Sequence, residues 1–158
     1  MDFLEVKIME KKLKEIGNEN KCPMAVMIRN GKVLTGYRNY TKDTWKNISV
    51  WTSPGGRCNT GETIEHTLRR EVKEEVDITE FEIIDFLGEV SGMKKSDTVI
   101  IFFCTTKQEA KLMEPEKFSE WRWVSKHEYI KDEKYGGFNS TARKVIVNYL
   151  KSPLFLNI

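Results

Sequence analysis

An amphipathic helix with acidic residues along one edge is the feature that most constrains how this chain can fold. Between residues 62 and 76, apolar side chains recur four positions apart, and on a helical wheel they fall within an arc of about 120°: Ile64, Leu68, Val72 and Val76. A helix with such a face buries it against other apolar surface. The chain therefore has to supply a sheet for this helix to cover.

The acidic residues of this helix do not lie where charges that serve solubility are expected. Glu71, Glu74 and Glu75 fall at the edge of the apolar face, whereas the basic residues occupy the opposite side. Like charges at this spacing repel one another by about 0.2–0.5 kcal/mol per pair. A cation is expected to offset that repulsion, and divalent cations prefer carboxylate oxygens. The alternative interpretation is a solvated acidic face without function.

The rest of the chain predicts a mixture of strands and helices. Asn30-Gly31 between two apolar runs indicates a β-hairpin over residues 24–38. Further strands are predicted at 48–52, 81–90, 98–106 and 120–124. Further helices are predicted at 3–16, 125–131 and 140–150, the last with Ser140 as its N-cap. The two types mix without strict alternation, which favours an α+β fold with helices packed on a mixed sheet.

The residue types and their spacing around the acidic helix match a known signature. Five residues separate Gly56 from Glu62, seven more separate Glu62 from Arg70, and the three glutamates follow. This segment resembles the signature of the Nudix hydrolase family, GX5EX7REUXEEXGU, in which U is a bulky aliphatic residue. Six fixed residues would match by chance roughly once in ten million starting positions. The resemblance extends from about Cys22 onward and does not include the first twenty residues.

The resemblance implies a Nudix-type α/β/α sandwich with a mixed β-sheet between layers of helices. We expect residues 1–158 to form a single Nudix hydrolase domain, in which residues 1–20 are an extra N-terminal helical extension. This extension either covers the sheet or forms a homodimer contact.

The resemblance also implies hydrolysis of a nucleoside diphosphate linked to another group, with Mg²⁺ or Mn²⁺ as the cofactor. On this basis the three glutamates, Glu71, Glu74 and Glu75, and the carbonyl oxygen of Gly55 are the expected metal ligands. Either Glu74 or Glu75 is the expected base that activates water. Arg70 is expected to hold these carboxylates through its planar guanidinium group.

Three further residues are candidates for binding the substrate. Arg57, in the loop before the helix, is predicted to bind phosphate near the helix N-terminus, and Arg38 is a second phosphate candidate. Trp123 shares a strand face with Trp121 and is a candidate for stacking on a nucleobase. The alternatives are solvated charges for the two arginines and ordinary core packing for Trp123. Glu62 is expected to be mainly structural at the start of the helix.

One position departs from the signature. Its glycine is replaced here by Asp77, at the end of the acidic helix. Glycine is favoured at such positions because it enters the left-handed conformation without steric penalty. Aspartate is among the few other residues enriched there, so we expect a cost of about 1 kcal/mol in local stability rather than loss of the site.

The residues downstream of the signature do not match the patterns that are typical of several substrate classes in this family. By elimination, we expect a (deoxy)nucleoside triphosphate that is hydrolysed to the monophosphate and pyrophosphate. Two alternatives stay open: a nucleotide-binding Nudix-fold module with weak or no catalysis, and an RNA-end (cap) hydrolase. The net charge of +2 and the lack of a basic tract disfavour extended nucleic-acid contacts.

Composition favours a cytoplasmic protein without a membrane partner. The longest purely apolar stretch, residues 99–104, is far shorter than the ~20 residues that a membrane-spanning helix needs. The N-terminal residues also lack the pattern of a secretory signal. The three cysteines show no paired spacing, which fits a reducing compartment.

Overall fold

The computed structural model describes residues 2–39, 49–92 and 94–152, and these ranges contain four helices and six strands. The predicted start of a strand at residue 48 lies outside the described residues. The strands are β1 (Lys21–Arg29), β2 (Lys32–Arg38), β3 (Val50–Thr52), β4 (Glu82–Ser91), β5 (Thr98–Thr105) and β6 (Phe118–Ser125). The helices are α1 (Phe3–Lys14), α2 (Ile64–Val76), α3 (Lys126–Lys131) and α4 (Ser140–Leu150).

One mixed sheet contains all six of these strands. Their order is β3-β2-β1-β5-β4, and β6, which is not part of this linear order, pairs with β2. Strands β1 and β5 are parallel, in a register that runs from Lys21 opposite Thr98 to Ile28 opposite Thr105. The other pairs are antiparallel. The parallel pair brings the first residues of β1 and β5 to the same end of the sheet, where the candidate site lies.

Side chains that alternate along β1 contribute to two separate core layers. Ala25 and Met27 pack with α1 and α2, whereas Val26 and Ile28 pack with α3 and α4 on the opposite face. The four apolar residues predicted to form the buried face of α2 are completely buried. The predicted α/β/α sandwich with a mixed sheet is therefore confirmed.

The first helix is shorter than the sequence predicts. It ends at Lys14 instead of residue 16, because the chain that follows pairs with the segment before α2. Ile16 forms an isolated β-bridge with Thr63, and the Gly17 N–H donates to the Glu62 carbonyl oxygen at 2.7 Å. These tertiary hydrogen bonds replace the last turn that helical periodicity predicted.

The N-terminal boundaries of α2 and α4 also differ from the prediction. Helix α2 begins at Ile64, with Thr63 as its N-cap. The N-cap of α4 is Asn139, not Ser140. The Asn139 Oδ1 accepts hydrogen bonds from the N–H groups of Thr141 and Ala142, both at 3.1 Å. An asparagine side chain in this extended position satisfies the free N–H groups directly.

The extra N-terminal helix is present, and it covers part of the sheet. Met9 and Leu13 are buried against α2 and β4. Lys12 forms an ion pair with Glu89 of β4. The prediction of a homodimer contact stays a prediction. None of the helices in the described ranges combines the length and the apolar character that a bilayer crossing needs.

Asp77 ends α2 in the left-handed conformation, with φ 56° and ψ 32°. The sequence predicted this conformation from the place that glycine holds in the signature. The Asp77 N–H donates to the Lys73 carbonyl oxygen, and its carboxylate makes one exposed contact with Lys111 at 3.4 Å.

We therefore predict that Asp77→Gly raises the free energy of unfolding by about 0.5–1 kcal/mol, because glycine adopts this conformation without strain. Urea denaturation measures the change. The matched control is Asp132→Gly at the end of α3, where the backbone is extended with φ −105° and glycine offers no relief. Equal or lower stability of the Asp77 variant would contradict the prediction.

Candidate active site

A cavity of about 440 Å³ lies where the starts of β1 and β5 meet the loop between β3 and α2. It is lined by both acidic and basic side chains. These charged residues are Arg38, Arg57, Glu71, Glu75, Asp97 and Lys117. The cavity therefore offers groups for a cation and groups for an anion within one space.

The loop that precedes α2 is held between β1 and the helix. Its peptide groups pair with β1 on both sides of Gly55: the Ala25 N–H donates to the Pro54 oxygen at 2.8 Å and the Gly56 N–H to the Pro23 oxygen at 3.2 Å. The Gly55 N–H instead donates to Oε1 of Glu75 at 2.7 Å. A side chain at Gly55 would collide with the β1 backbone, which explains why glycine is needed here.

Glu75 is a buried carboxylate on the cavity wall. The residue is only 4% exposed, and it has no ion-pair partner among the residues that the structure describes. Burial raises the pKa of Glu75 well above its ordinary value, and the hydrogen bond from Gly55 opposes this rise only in part. Removing an ionised carboxylate from water without a cation is unfavourable, so this position fits a positively charged ligand.

Glu71 and Glu74 occupy different surroundings. The Glu71 side chain is 18% exposed, lines the cavity and accepts a hydrogen bond from Arg70 at 3.0 Å. Burial is the main reason why its pKa is raised. Glu74 is about half exposed, contacts Arg70 at 3.3 Å and is not part of the cavity lining. The helix thus brings two of the three predicted metal-binding glutamates to the cavity wall.

Arg70 connects the start of the helix with its acidic edge. It forms a two-point contact with Glu62, from Nε to Oε2 at 2.8 Å and from Nη2 to Oε1 at 2.9 Å. The Glu62 carboxylate also accepts hydrogen bonds from the Asn59 N–H and the Thr67 hydroxyl. The Arg70 hydrogen bonds are the main cause that lowers the pKa of Glu62 to about 2. These contacts agree with the structural role expected for Glu62.

The residues present fit a hard divalent cation. Glu71 and Glu75 offer carboxylate oxygens from one wall, and a side chain at Gly56 would collide with the Glu71 carboxylate, so the glycine leaves room beside it. Within residues 2–39, 49–92 and 94–152, no three His, Cys, Asp or Glu side chains already converge as a metal site. Glu74 is turned towards Arg70, and a complete ligand set therefore needs further oxygens.

The structure brings two of the three predicted substrate-binding residues to the cavity. Arg38 lines it and lies over the Phe118 ring, with 5.6 Å from the guanidinium carbon to the ring centroid. Arg57 lines it and is bound to Asp97. Trp123 is not part of the lining; its ring packs against the core on the α2 side and beneath Arg29. The base contact of Trp123 stays a prediction from sequence, and the contacts seen are those of packing.

Two charged residues of the cavity were not identified from the sequence. Asp97 lies 40 positions after its partner Arg57 in the sequence. Lys117 lies in an acidic loop, where a single lysine does not indicate a binding site. Asp97 belongs to no periodic segment or motif, and Lys117 lies in the run of residues 114–117, from which no role for this lysine was predicted. Only the parallel pairing of β1 and β5 indicates that the residue before β5 lies close to the loop beside β1.

Comparison with known proteins defines the class to which this fold and cavity belong. The sequence model of the NUDIX domain matches residues 22–146. The chain therefore belongs to the NUDIX domain family, which confirms the resemblance inferred from its signature.

Individual relatives agree with this assignment. The chain is similar to Nudix hydrolase 5 of Arabidopsis thaliana, with 30% identity over 129 residues. This match includes 78% of the chain and 41% of the plant protein, so the chain spans less than half the length of that relative.

Two solved structures show the same fold. A MutT protein from Methanosarcina mazei Go1 has 23% identity and a TM-score of 0.64, and the match covers 82% of this chain and 91% of that one. A NUDIX hydrolase from Nitrosomonas europaea has 18% identity and a TM-score of 0.67, and the match covers 89% of this chain and 74% of that one. At these sequence identities, the similarity is evidence for a shared fold alone.

We predict that Glu62→Gln lowers the free energy of unfolding at pH 7 by about 1.5–3 kcal/mol, because it removes the charge of a hydrogen-bonded partner of Arg70. The folded pKa of about 2 lies below the ordinary value of 4.5. The contribution of Glu62 is therefore complete above pH 4.5 and is lost as the pH falls towards 2. The difference between wild type and variant should shrink over that interval in urea denaturation.

The matched control is Glu65→Gln on the same helix. Glu65 pairs with Arg69 at 2.9 Å, and both side chains are more than 40% exposed. An exposed pair of this kind contributes about 0–1 kcal/mol. Equal effects of the two substitutions at pH 7 would count against the structural role of Glu62.

Proposed function

We propose that this chain is a metal-dependent pyrophosphohydrolase that cleaves phosphoric anhydride bonds in a nucleoside diphosphate linked to another group. The observation that carries this proposal is the placement of the buried Glu75 and the partly buried Glu71 on one wall of a cavity that also contains Arg38 and Lys117. Carboxylates suit a divalent cation, and the basic side chains suit phosphate oxygens. The name of the Arabidopsis relative supports the same class of reaction.

The proposed cofactor is Mg²⁺ or Mn²⁺, with Glu71, Glu74, Glu75 and the Gly55 carbonyl oxygen as proposed ligands. Glu71 and Glu75 line the cavity, whereas Glu74 joins them only by turning away from Arg70. When bound, the ion supplies positive charge that neutralises phosphate oxygens and lowers the pKa of the attacking water.

We assign different roles to the carboxylates and to Arg70. We assign the role of base to Glu75 rather than to Glu74, because Glu75 lines the cavity and Glu74 does not. Arg70 acts through the carboxylates that it holds, since its hydrogen bonds restrain Glu71 on the cavity wall.

Within this reaction class we propose a (deoxy)nucleoside triphosphate as the substrate, with the monophosphate and pyrophosphate as products. A cavity of about 440 Å³ is of the size that holds one small ligand. Its apolar lining includes Val50, Val99 and Phe138, which offer a surface for a base, while Arg38 and Arg57 are the proposed phosphate contacts.

A panel of substrates tests this proposal. The protein is incubated with Mg²⁺ and one substrate at a time: nucleoside triphosphates, deoxynucleoside triphosphates, ADP-ribose, dinucleoside polyphosphates and capped RNA. The products are separated by chromatography and identified, because hydrolysis of ADP-ribose gives AMP and ribose 5-phosphate and no free phosphate or pyrophosphate. We expect pyrophosphate from triphosphates. Nucleotide binding without cleavage would favour the binding module, and cleavage of capped RNA alone would favour the RNA-end hydrolase.

The Glu75→Gln variant separates a cation-binding role from a structural one. We predict that it lowers kcat by a factor on the order of 10² to 10⁴, because it removes the charge but keeps the volume. Without metal, its thermal stability should equal or exceed that of wild type, since an unpaired buried carboxylate is lost. Mn²⁺ should raise the Tm of wild type and leave the Tm of the variant unchanged.

Glu65→Gln serves as the control again, because Glu65 lies on the solvent side of the same helix. It should keep the kcat and the Mn²⁺ response of wild type. Near wild-type turnover in Glu75→Gln would show that the cation site has been placed wrongly.

A further inference from the structure

An ion pair between Arg57 and Asp97 lies in the cavity lining, away from the acidic edge of α2. Nη1 of Arg57 donates to Oδ1 of Asp97 at 2.8 Å, and Nη2 donates to Oδ2 at 2.7 Å. The Asp97 side chain is 3% exposed, whereas that of Arg57 is 41% exposed. Two parallel hydrogen bonds fix the plane of the guanidinium group, which a single contact would not do.

Asp97 is itself held by backbone hydrogen bonds. The Gly92 N–H donates to the Asp97 carbonyl oxygen at 2.8 Å, and the Asp97 N–H donates to the Lys94 carbonyl oxygen at 2.9 Å. A side chain at Gly92 would collide with Cβ of Asp97. The backbone of Asp97 is therefore fixed directly before β5, and the position of its carboxylate does not depend on Arg57 alone.

The hydrogen bonds of Arg57 leave one edge of its guanidinium group available. Nη1 uses its two hydrogens for Asp97 and for the Glu19 carbonyl oxygen, the latter at 2.9 Å. Nη2 uses one hydrogen for Asp97. In the described part of the chain, Nε–H and the second hydrogen of Nη2 have no partner. These two donors are parallel and form the side edge of the group, which matches two oxygens of a phosphate.

This free edge belongs to a residue that lines the cavity beside the carboxylate site. Arg57 comes two positions after Gly55, whose N–H holds Glu75, and its carbonyl oxygen accepts a hydrogen bond from Arg70 at 3.1 Å. A phosphate in the cavity could therefore be bound next to the acidic edge of α2.

We infer that Asp97 is a positioning residue, which holds Arg57 by one edge so that the opposite edge, Nε–H and Nη2–H, binds a phosphate group of the nucleotide. The inference rests on the proposed function, because it takes the ligand of the cavity to be a nucleotide. It assigns to the loop before β5 a role in substrate affinity that the signature does not contain.

Two other roles for Asp97 lead to different results. If the ion pair only joins the loops, its loss lowers stability and leaves nucleotide affinity unchanged. If Asp97 only neutralises Arg57, its loss frees a positive charge and tightens phosphate binding. Orientation by Asp97 predicts the opposite, which is weaker binding.

The test uses Asp97→Asn, Arg57→Lys and the double variant. Asparagine keeps the shape but offers one acceptor oxygen, and lysine keeps the charge but lacks the planar edge.

We measure kcat and KM for the triphosphate that is turned over best, and Kd for an α,β-methylene nucleoside triphosphate with Mg²⁺. Each single variant should raise KM and Kd about tenfold and change kcat less than about threefold. The KM and Kd of the double variant should be no higher than those of either single variant, because both changes remove the same interaction between the oriented Arg57 and the phosphate.

The control is Glu109→Gln, which removes an arginine–carboxylate pair away from the cavity, with Arg29 at 2.9 Å. It should leave KM and Kd unchanged. Wild-type affinity in Arg57→Lys, or unchanged or tighter binding in Asp97→Asn, would overturn the inference. If wild type binds the analogue but cleaves no substrate, the proposed reaction fails while the Kd values still decide the role of Asp97. If wild type binds no nucleotide, both proposals fail.

Discussion

The packing of α2 against one face of the sheet is the constraint on which the rest of this structure depends. Its apolar face is completely buried, and each such side chain contributes roughly 1.5–3 kcal/mol when it leaves water. Because Glu75 follows the buried Val72 by three residues and so lies on the same side of the helix, the same packing also carries a carboxylate out of solvent. One hydrogen bond from Gly55 offsets only part of that cost. The fold thus places a carboxylate where a cation would stabilise its ionised form.

Two arginines organise the surroundings of this charge. Arg70 links Glu62 at the start of α2 to Glu71 at its acidic edge, and it also reaches the backbone of Arg57. Arg57 in turn is held by Asp97 from a loop that is distant in the sequence. Planar guanidinium groups suit this task because each binds a carboxylate at two points and keeps donors for a third partner. The loop between β3 and α2 is consequently restrained from both sides.

Family membership identifies the fold, and the contacts in this structure show where the signature residues lie within it. Only two of the three glutamates proposed as metal ligands line the cavity, since Glu74 is turned towards Arg70. Asp77 adopts the left-handed conformation that glycine takes in the signature, so the substitution preserves the end of the helix. Trp123, which the sequence offered as a base contact, packs beside the core and outside the cavity lining.

The sequence by itself determined the features that are encoded within one element or one turn. Helical spacing located the buried face of α2, the hairpin at Asn30-Gly31 has both residues at positive φ, and the signature identified the family. Only the tertiary structure decided the early end of α1, where Ile16 pairs with Thr63, and the partnership of Arg57 with Asp97. The physical reason is that periodicity reports which side of an element is buried, whereas contacts across many residues depend on strand order and loop paths, which have no local pattern.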